Sequence, residues 1–482
     1  MTTSFLFYDL ETFGSDPRRT RIAQFAAIRT DADLREIDAP ISVFVQPAND
    51  LLPSPIATLI TGIAPQDALR DGMCEADAFA LICEEMSRPE SCTVGYNSLR
   101  FDDEFIRHGL FRNFFDPYER EWRGGNCRWD LLDVLRLAHA LRPEGIEWPK
   151  REDGATSFKL EHLAAANGVR DGDAHEALSD VRALIGLARR LRQAQPRLWD
   201  YALKLRDKRF AATLLDTIAM TPVLHVSQRF PAARLCAAPV LPLARNPQVD
   251  SRVIVFDLTQ DPHDLLTLEP DALADRLYTP TRDLPDGVER IALKEVHLNK
   301  CPALVAWPHL RPSDFDRLAI DPRQVDARAA LIRARGPEMA EKVRRVFARH
   351  GDRTPSDVDA SIYDAFIDKG DARLFPQVRT TAPHALRDAA FAFKDARLPE
   401  LLFRYRARNW PDTIDAGEQA RWDAYRNQRL RIDSGLSEYT FDSLRTELDE
   451  LRMAHVDDAR KLGLLDRVDA WARALDAGLT AP

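Results

Sequence analysis

Long apolar runs are missing from this chain: no stretch approaches the 18 residues needed to cross a bilayer, and the N-terminus carries neither a basic segment nor a signal-cleavage pattern. The reading is therefore a protein without membrane association, expected in the cytoplasm. Cysteine is scarce as well. Cys74, Cys83, Cys92, Cys127, Cys236 and Cys301 include no Cys-x-x-Cys pair, which speaks against a disulfide framework or a zinc site and for reduced, buried thiols. Positive charge is in deficit too. Lys+Arg total 67 against Asp+Glu 76, a net charge of −9, the reverse of the basic balance usual in a nucleic-acid-binding chain. There is no internal repeat and no low-complexity tract. What remains is a soluble globular composition, 45% hydrophobic and 30% charged over 482 residues, too long for one core and consistent with two to four domains.

The chemistry begins at Phe5-Leu-Phe-Tyr-Asp9-Leu-Glu11-Thr12-Phe13-Gly14, an apolar run ending in two carboxylates. Side chains alternate along a strand, so Asp9 and Glu11 share a face, and two anions there repel unless a cation sits between them. A hard divalent ion such as Mg²⁺ prefers carboxylate oxygens and keeps open positions for water and phosphate. An isolated Asp-x-Glu is more often a pair of solvated acids. Two later segments change that balance. Cys92-Thr-Val94 runs through Gly95-Tyr96-Asn97 into the acids Asp102, Asp103 and Glu104, and Gly172-Asp173-Ala174-His175-Glu176 precedes a helical pattern containing Asp180. Asp173 and Glu176 have capping-box spacing, which puts His175 in or near the first turn and Asp180 one to two turns deeper.

Taken in order, these motifs resemble the DEDDh family of 3′→5′ exonucleases: Asp-x-Glu on the first strand, Asn followed by aromatic-Asp, then His-x-x-x-x-Asp. The wording is closer still to the bacterial exonuclease I branch. Ala23-Gln-Phe-Ala-Ala-Ile28, Leu59-Ile-Thr-Gly-Ile63, Arg128-Trp-Asp-Leu-Leu-Asp-Val134, Ser157-Phe-Lys-Leu-Glu-His-Leu163, His297-Leu-Asn-Lys-Cys-Pro302 and Arg404-Tyr-Arg-Ala-Arg-Asn409 extend the likeness over nearly the whole chain. The second motif departs from the family's spacing, with five residues from Asn97 to Asp102 rather than four. Asp102 takes the metal role because it follows Phe101; Asp103 is expected to cap the next helix.

The resemblance implies a catalytic set of Asp9, Glu11, Asp102, His175 and Asp180, with the four acids holding two Mg²⁺ ions, Mn²⁺ being an alternative. Asp9, Glu11 and Asp180 would hold the ion that activates water, Asp9 and Asp102 the ion facing the leaving 3′-oxygen, and His175 would take the water's proton. It also implies hydrolysis of single-stranded DNA to 5′-mononucleotides in repair and recombination, a monomeric enzyme, and single-stranded DNA-binding protein as a partner. Arginines interleaved with Tyr118, Trp122 and Trp129 suit phosphates and unpaired bases. Arg107, Tyr118, Trp122, Arg136, Arg142, Lys159 and Lys208 are the candidate DNA contacts.

Residues 1–194 read as an α/β unit, by resemblance an RNase H-like exonuclease domain, with strands at the opening run, 22–28 and 43–45 and helices near 75–87, 130–141, 158–167 and 176–193. Residues 195–352 contain short β-like runs at 222–226, 251–256 and 303–306 and a helical extension; by resemblance this is an SH3-like domain. Residues 353–482 read as an all-helical C-terminal domain, with Leu444, Leu448 and Leu451 at helical spacing. Two rivals remain: an RNA-trimming or proofreading exonuclease of the same superfamily, and a non-catalytic nucleic-acid-binding scaffold.

Overall fold

The computed structural model describes residues 3–170, 176–348 and 356–479, so His175 lies outside the described residues. The chain divides into two compact units: Met1–Cys127 with Arg170–Ile185 and Thr354–Pro482, and Arg128–Val169 with Gly186–Arg353.

The first unit is built on a mixed sheet. Its strands β1 (Ser4–Thr12), β2 (Ile22–Asp31), β3 (Ile41–Phe44) and β4 (Ser91–Gly95) lie in the order β3-β2-β1-β4, with β5 (Cys127–Asp130) next at the edge. β1 runs antiparallel to β2, Asp9 opposite Ala26 and Glu11 opposite Gln24, and parallel to β4 from Ser4↔Ser91 to Phe7↔Val94. The two β1 acids thus lie beyond the last β4 pair, at the C-terminal end of the parallel strands where α/β sheets bind ligands. Leu6, Tyr8 and Leu10 point the other way, into a core with Phe79 and Ile82 of the helix Glu75–Met86 and Phe105, Ile106 and Leu110 of the helix Asp102–Arg112. These two helices approach closely at Gly109. A Cβ there would fall 1.8 Å from the Phe79 ring.

The rest of this unit is helical, with long helices at Arg397–Asn409, Ala416–Arg431, Phe441–Ala454 and Ala459–Ala477. Leu444 and Leu448 are buried in a core with Leu465 and Val468, and Leu451 packs on its margin, as the spacing predicts. Residues 357–396 differ from the uniform helix expected there. They form short helical pieces such as the 3-10 turn Val358–Tyr363 and the α-helix Phe375–Thr380, with Pro376 and Pro383 each in the first turn of a separate piece.

The second unit carries a five-stranded antiparallel sheet, β6 (Val223–Val226), β7 (Ala237–Arg245), β8 (Arg252–Asp257), β9 (Leu293–His297) and β10 (Ala303–Ala306), in the order β10-β6-β7-β8-β9. Both faces are covered. Val240, Val253 and Val255 pack with Leu137, Ala140 and Leu141 of the helix Leu131–Leu141, while Leu241, Ile254 and Phe256 pack with Val325, Ile332, Met339 and Val343 of the helices Pro322–Arg333 and Gly336–Phe347. β7 and β9 are not among the expected strands. Pro239 and Pro242 argue against a strand at β7, and the structure accommodates them with an irregular register between Pro242 and Ala244.

All six cysteines are free thiols, as expected, but only Cys92 is buried; the others are half-buried. Among the described residues no helix is long and apolar enough to cross a membrane.

Candidate active site

Three carboxylates that are far apart in the chain meet in the first unit: ligand oxygens of Asp9, Glu11 and Asp180 all lie within 4.8 Å of one another. β1 supplies the first two from one face. The helix Ala177–Ala194 supplies Asp180 from its first turn. Asp102 opens the helix Asp102–Arg112 and is buried. The turn from β4 into that helix uses Asn97 in the left-handed region, φ 61°, which asparagine tolerates better than most residues. The Asp103 backbone amide then donates to Ser98 O at 2.9 Å.

The electrostatics are those of mutually repelling carboxylates. Burial raises the Asp9 carboxyl well above its ordinary value, and the neighbouring Asp102, Glu11 and Asp180 charges raise it further. Glu11 is pushed up to about 8 by burial first, then by Asp180 and Asp102. Asp102 therefore acts on both β1 acids although its oxygens are not in the tightest triad. Four converging carboxylates, three with oxygens close enough to share an ion, fit hard divalent metals. Among the described residues the donors are carboxylate oxygens, which suit hard metals better than soft ones.

Asp103 does not cap the helix as expected: the N-cap position is Phe101 and Asp103 lies within the first turn, its carboxylate turned to other partners. It is buried, accepts a hydrogen bond from Tyr8 Oη at 3.1 Å and forms an ion pair with buried Arg120. Tyr8 and Asp103 are the chain neighbours of Asp9 and Asp102, so this contact ties together the two backbone segments that present the acids. Arg170 Nη2 donates to Asp180 Oδ1 at 2.8 Å. The loop leaving β1 is held by Glu438, whose Oε1 accepts from the Ser15 amide at 2.7 Å and from the Asp16 amide. The Glu438 carboxylate lies close against Gly14, where a Cβ would sit 2.1 Å from Glu438 Oε2 and displace that side chain. Arg120, Arg170 and Glu438 carry no local motif; their partners are 17, 10 and 423 residues away.

The candidate DNA contacts divide between the units. In the first, Trp122 is 64% exposed, and Tyr118 is half-buried with its ring 6.3 Å from that of exposed Phe366, an aromatic the sequence reading missed. Arg107 is buried instead, its guanidinium bonded to Glu121 at 2.8 and 3.0 Å and to Glu104 at 3.1 Å. In the second unit, the Lys159 side chain is 69% exposed, and Lys208 is exposed at the start of the helix Lys208–Leu214. Arg136 is buried against Asp133, 2.9 Å, and Arg142 pairs with Asp314. The three arginines are thus engaged by acids; Lys159 Nζ also meets Glu161 Oε1 at 3.4 Å, but its side chain stays exposed, as do Trp122 and Lys208.

Comparison with known proteins gives one consistent result. Family patterns described as Exonuclease, Exonuclease I SH3-like domain and Exonuclease I C-terminal domain match residues 6–188, 206–349 and 356–475. Exodeoxyribonuclease I of Escherichia coli K12 is 43% identical over 98% of each chain. The chain belongs to the exodeoxyribonuclease I family. Among solved structures, exonuclease I from Methylocaldum szegediense superposes with a TM-score of 0.94 at 46% identity, covering 98% of this chain and 99% of that one. Escherichia coli exonuclease I in complex with a dA16 oligonucleotide gives 0.93 at 42%, covering 98% and 100%. The α/β exonuclease domain, SH3-like domain and helical C-terminal domain follow from this membership, as does metal-dependent nuclease chemistry.

Proposed function

We propose that the protein hydrolyses single-stranded DNA from its 3′ end, releasing 5′-mononucleotides in repair and recombination, with Asp9, Glu11, Asp102 and Asp180 holding two Mg²⁺ ions that Mn²⁺ can replace. The observation that carries this reading is the convergence of Asp9, Glu11 and Asp180 oxygens within 4.8 Å. Bound divalent ions supply charge neutralisation at the phosphodiester and a nucleophile at neutral pH. The chain does the rest. Asp9 and Glu11 project from one face of β1, Asp180 closes the triad from its helix, and Asp102 stands beside them, so the acids fix where the scissile phosphate can sit. His175, five residues before Asp180, is assigned the proton of the attacking water, a role suited to an imidazole of ordinary pKa near 6.5.

Strand binding is assigned to stacking on Tyr118 and Trp122 and to Arg107, Arg136, Arg142, Lys159 and Lys208, with Lys159 and Lys208 the freest to reach phosphate. Stacking does not distinguish bases, so little sequence preference is expected. A solved complex of Escherichia coli exonuclease I with single-stranded DNA and zinc supports both the substrate and a divalent-metal site. A solved SSB/exonuclease I structure, 41% identical to this chain, supports single-stranded DNA-binding protein as a partner. We assign the chain to the cytoplasm as a monomer, with domain divisions near 195 and 353.

The test is digestion of 3′-labelled and 5′-labelled single strands, DNA and RNA in parallel, with Mg²⁺ and with EDTA. Immediate release of the 3′ label as mononucleotide, from DNA and only with metal, is expected; early release of the 5′ label or preference for RNA overturns the reading. His175→Ala should lower the rate roughly 10²–10⁴-fold.

A further inference from the structure

The acids of the proposed metal centre are accompanied by a permanent positive charge that the family motifs do not include. Arg170 lies outside all three motifs, yet its Nη2 donates to Asp180 Oδ1 at 2.8 Å, and both side chains are 13% exposed. A guanidinium does not lose its proton in a protein. The charge is therefore always present at the edge of the cluster, on the one triad acid that comes from a helix rather than from β1. Its other terminal nitrogen, Nη1, is buried with no hydrogen-bond partner among the described residues.

The cluster itself explains why a cation is held there. Ligand oxygens of Asp9, Glu11 and Asp180 crowd within 4.8 Å of one another, so a nearby positive charge lowers the cost of keeping Asp180 beside them. The same charge opposes a divalent ion arriving at the same oxygens, because the two cations compete for Asp180 and repel each other.

We propose that Arg170 is an internal counter-cation that occupies Asp180 while the metal centre is unfilled and yields that carboxylate as the centre fills, so that it sets the affinity for metal. This rests on the reading of Asp9, Glu11 and Asp180 as metal ligands. Arg170 is a positioning residue here, acting through Asp180 and touching neither substrate nor metal.

The experiment titrates Mn²⁺ alone into the full-length, EDTA-stripped protein and reads free Mn²⁺ by electron paramagnetic resonance, with no DNA and no turnover. Arg170→Gln, which keeps a hydrogen-bonding end but removes the charge, should bind Mn²⁺ roughly tenfold more tightly than the parent. Arg170→Lys, which keeps the charge, should stay close to the parent. In an Asp180→Asn background the Arg170→Gln gain should disappear, since the coupling runs through that carboxylate. Unchanged or weaker binding in Arg170→Gln overturns the proposal, and so does a gain of equal size with Asp180→Asn. Failure of the parent protein to bind Mn²⁺ at all overturns instead the metal-centre reading on which it stands.

Discussion

Two groups of acids, buried or half-buried, lie in the same unit of this protein, and they are balanced in opposite ways. Asp50 and Asp359 are wrapped in arginine: Arg408 donates to Asp50 Oδ2 from Nε and Nη2 at 3.1 and 2.9 Å and to Asp359 Oδ1 from Nη1 at 2.8 Å, while Arg404 and Tyr425 also reach Asp359. Burial alone would raise both carboxyls. The guanidinium of Arg408, joined by Arg429 and Arg21 at Asp50 and by Arg404 at Asp359, more than offsets it and holds both below the usual range. At Asp9 and Glu11 burial acts in the same sense, but the nearest charges are further acids, so both are raised. The lesson is that burial does not distinguish structural from functional acids. The sign of the company does. Asp50 joins the loop after β3 to the helices carrying Arg408 and Arg429 and finds its counter-charges within the chain; Asp9 and Glu11 face further acids, the arrangement that the proposed cations would balance.

The largest expected effect separates the two groups outright. Asp9→Asn should abolish hydrolysis while leaving affinity for single-stranded DNA intact, and in EDTA it should raise the melting temperature because a repelled buried charge is gone; nuclease assays, strand-binding titrations and thermal melts check the three parts. Next in size, Arg408→Met should cost about 3–5 kcal/mol of unfolding free energy in urea, as it leaves Asp50 and Asp359 buried without their main partner. If both variants lost stability alike, the contrast between the groups would fail.

How much of this was legible in the sequence depends on how far apart the partners are. Asp9 and Glu11 could be read because the chemistry sits in three consecutive residues of one strand, and strands β1–β3 and the helices near 75–87, 130–141 and 176–193 follow from local periodicity. The Asp133 partner of Arg136, three residues away on the same helix, was within reach of local spacing. Arg107 and Arg142 could be read as charges but not as charges already spoken for, since Glu121 and Asp314 are assigned to them only by the fold. The Arg408 network was invisible for the same reason: Asp50 is 358 residues away from it. β7 escaped because its prolines speak against a strand, and only the neighbouring β6 and β8 make one of it.

The comparison also predicts pH behaviour of opposite sign. Glu11, raised from 4.5 to about 8, stabilises the fold fully below its unfolded value, and this contribution is lost as pH rises through about 8. Asp50 and Asp359, being depressed, contribute above the ordinary carboxylate range and lose that contribution as pH falls through their low folded values. Melting curves in EDTA between about pH 5 and 9 should therefore decline on the alkaline side, and Mg²⁺ should remove that decline by stabilising the ionised acids. A decline that Mg²⁺ does not touch would assign it to other groups.

Smaller effects are expected at the margins. Glu438→Ala should cost about 1 kcal/mol and lower the rate several-fold, because two amides of the loop leaving β1 lose their acceptor. Lys159→Ala should weaken strand binding a few-fold and reduce the salt slope by about one.

The most direct measurement is a calorimetric titration of Mg²⁺ into the EDTA-stripped protein and its Asp9→Asn variant. Saturable uptake of about two ions by the parent, lost or halved in the variant together with hydrolysis, is the predicted result. Equal uptake by both proteins would contradict the account, since the ions would then be held somewhere other than the acids at the end of β1.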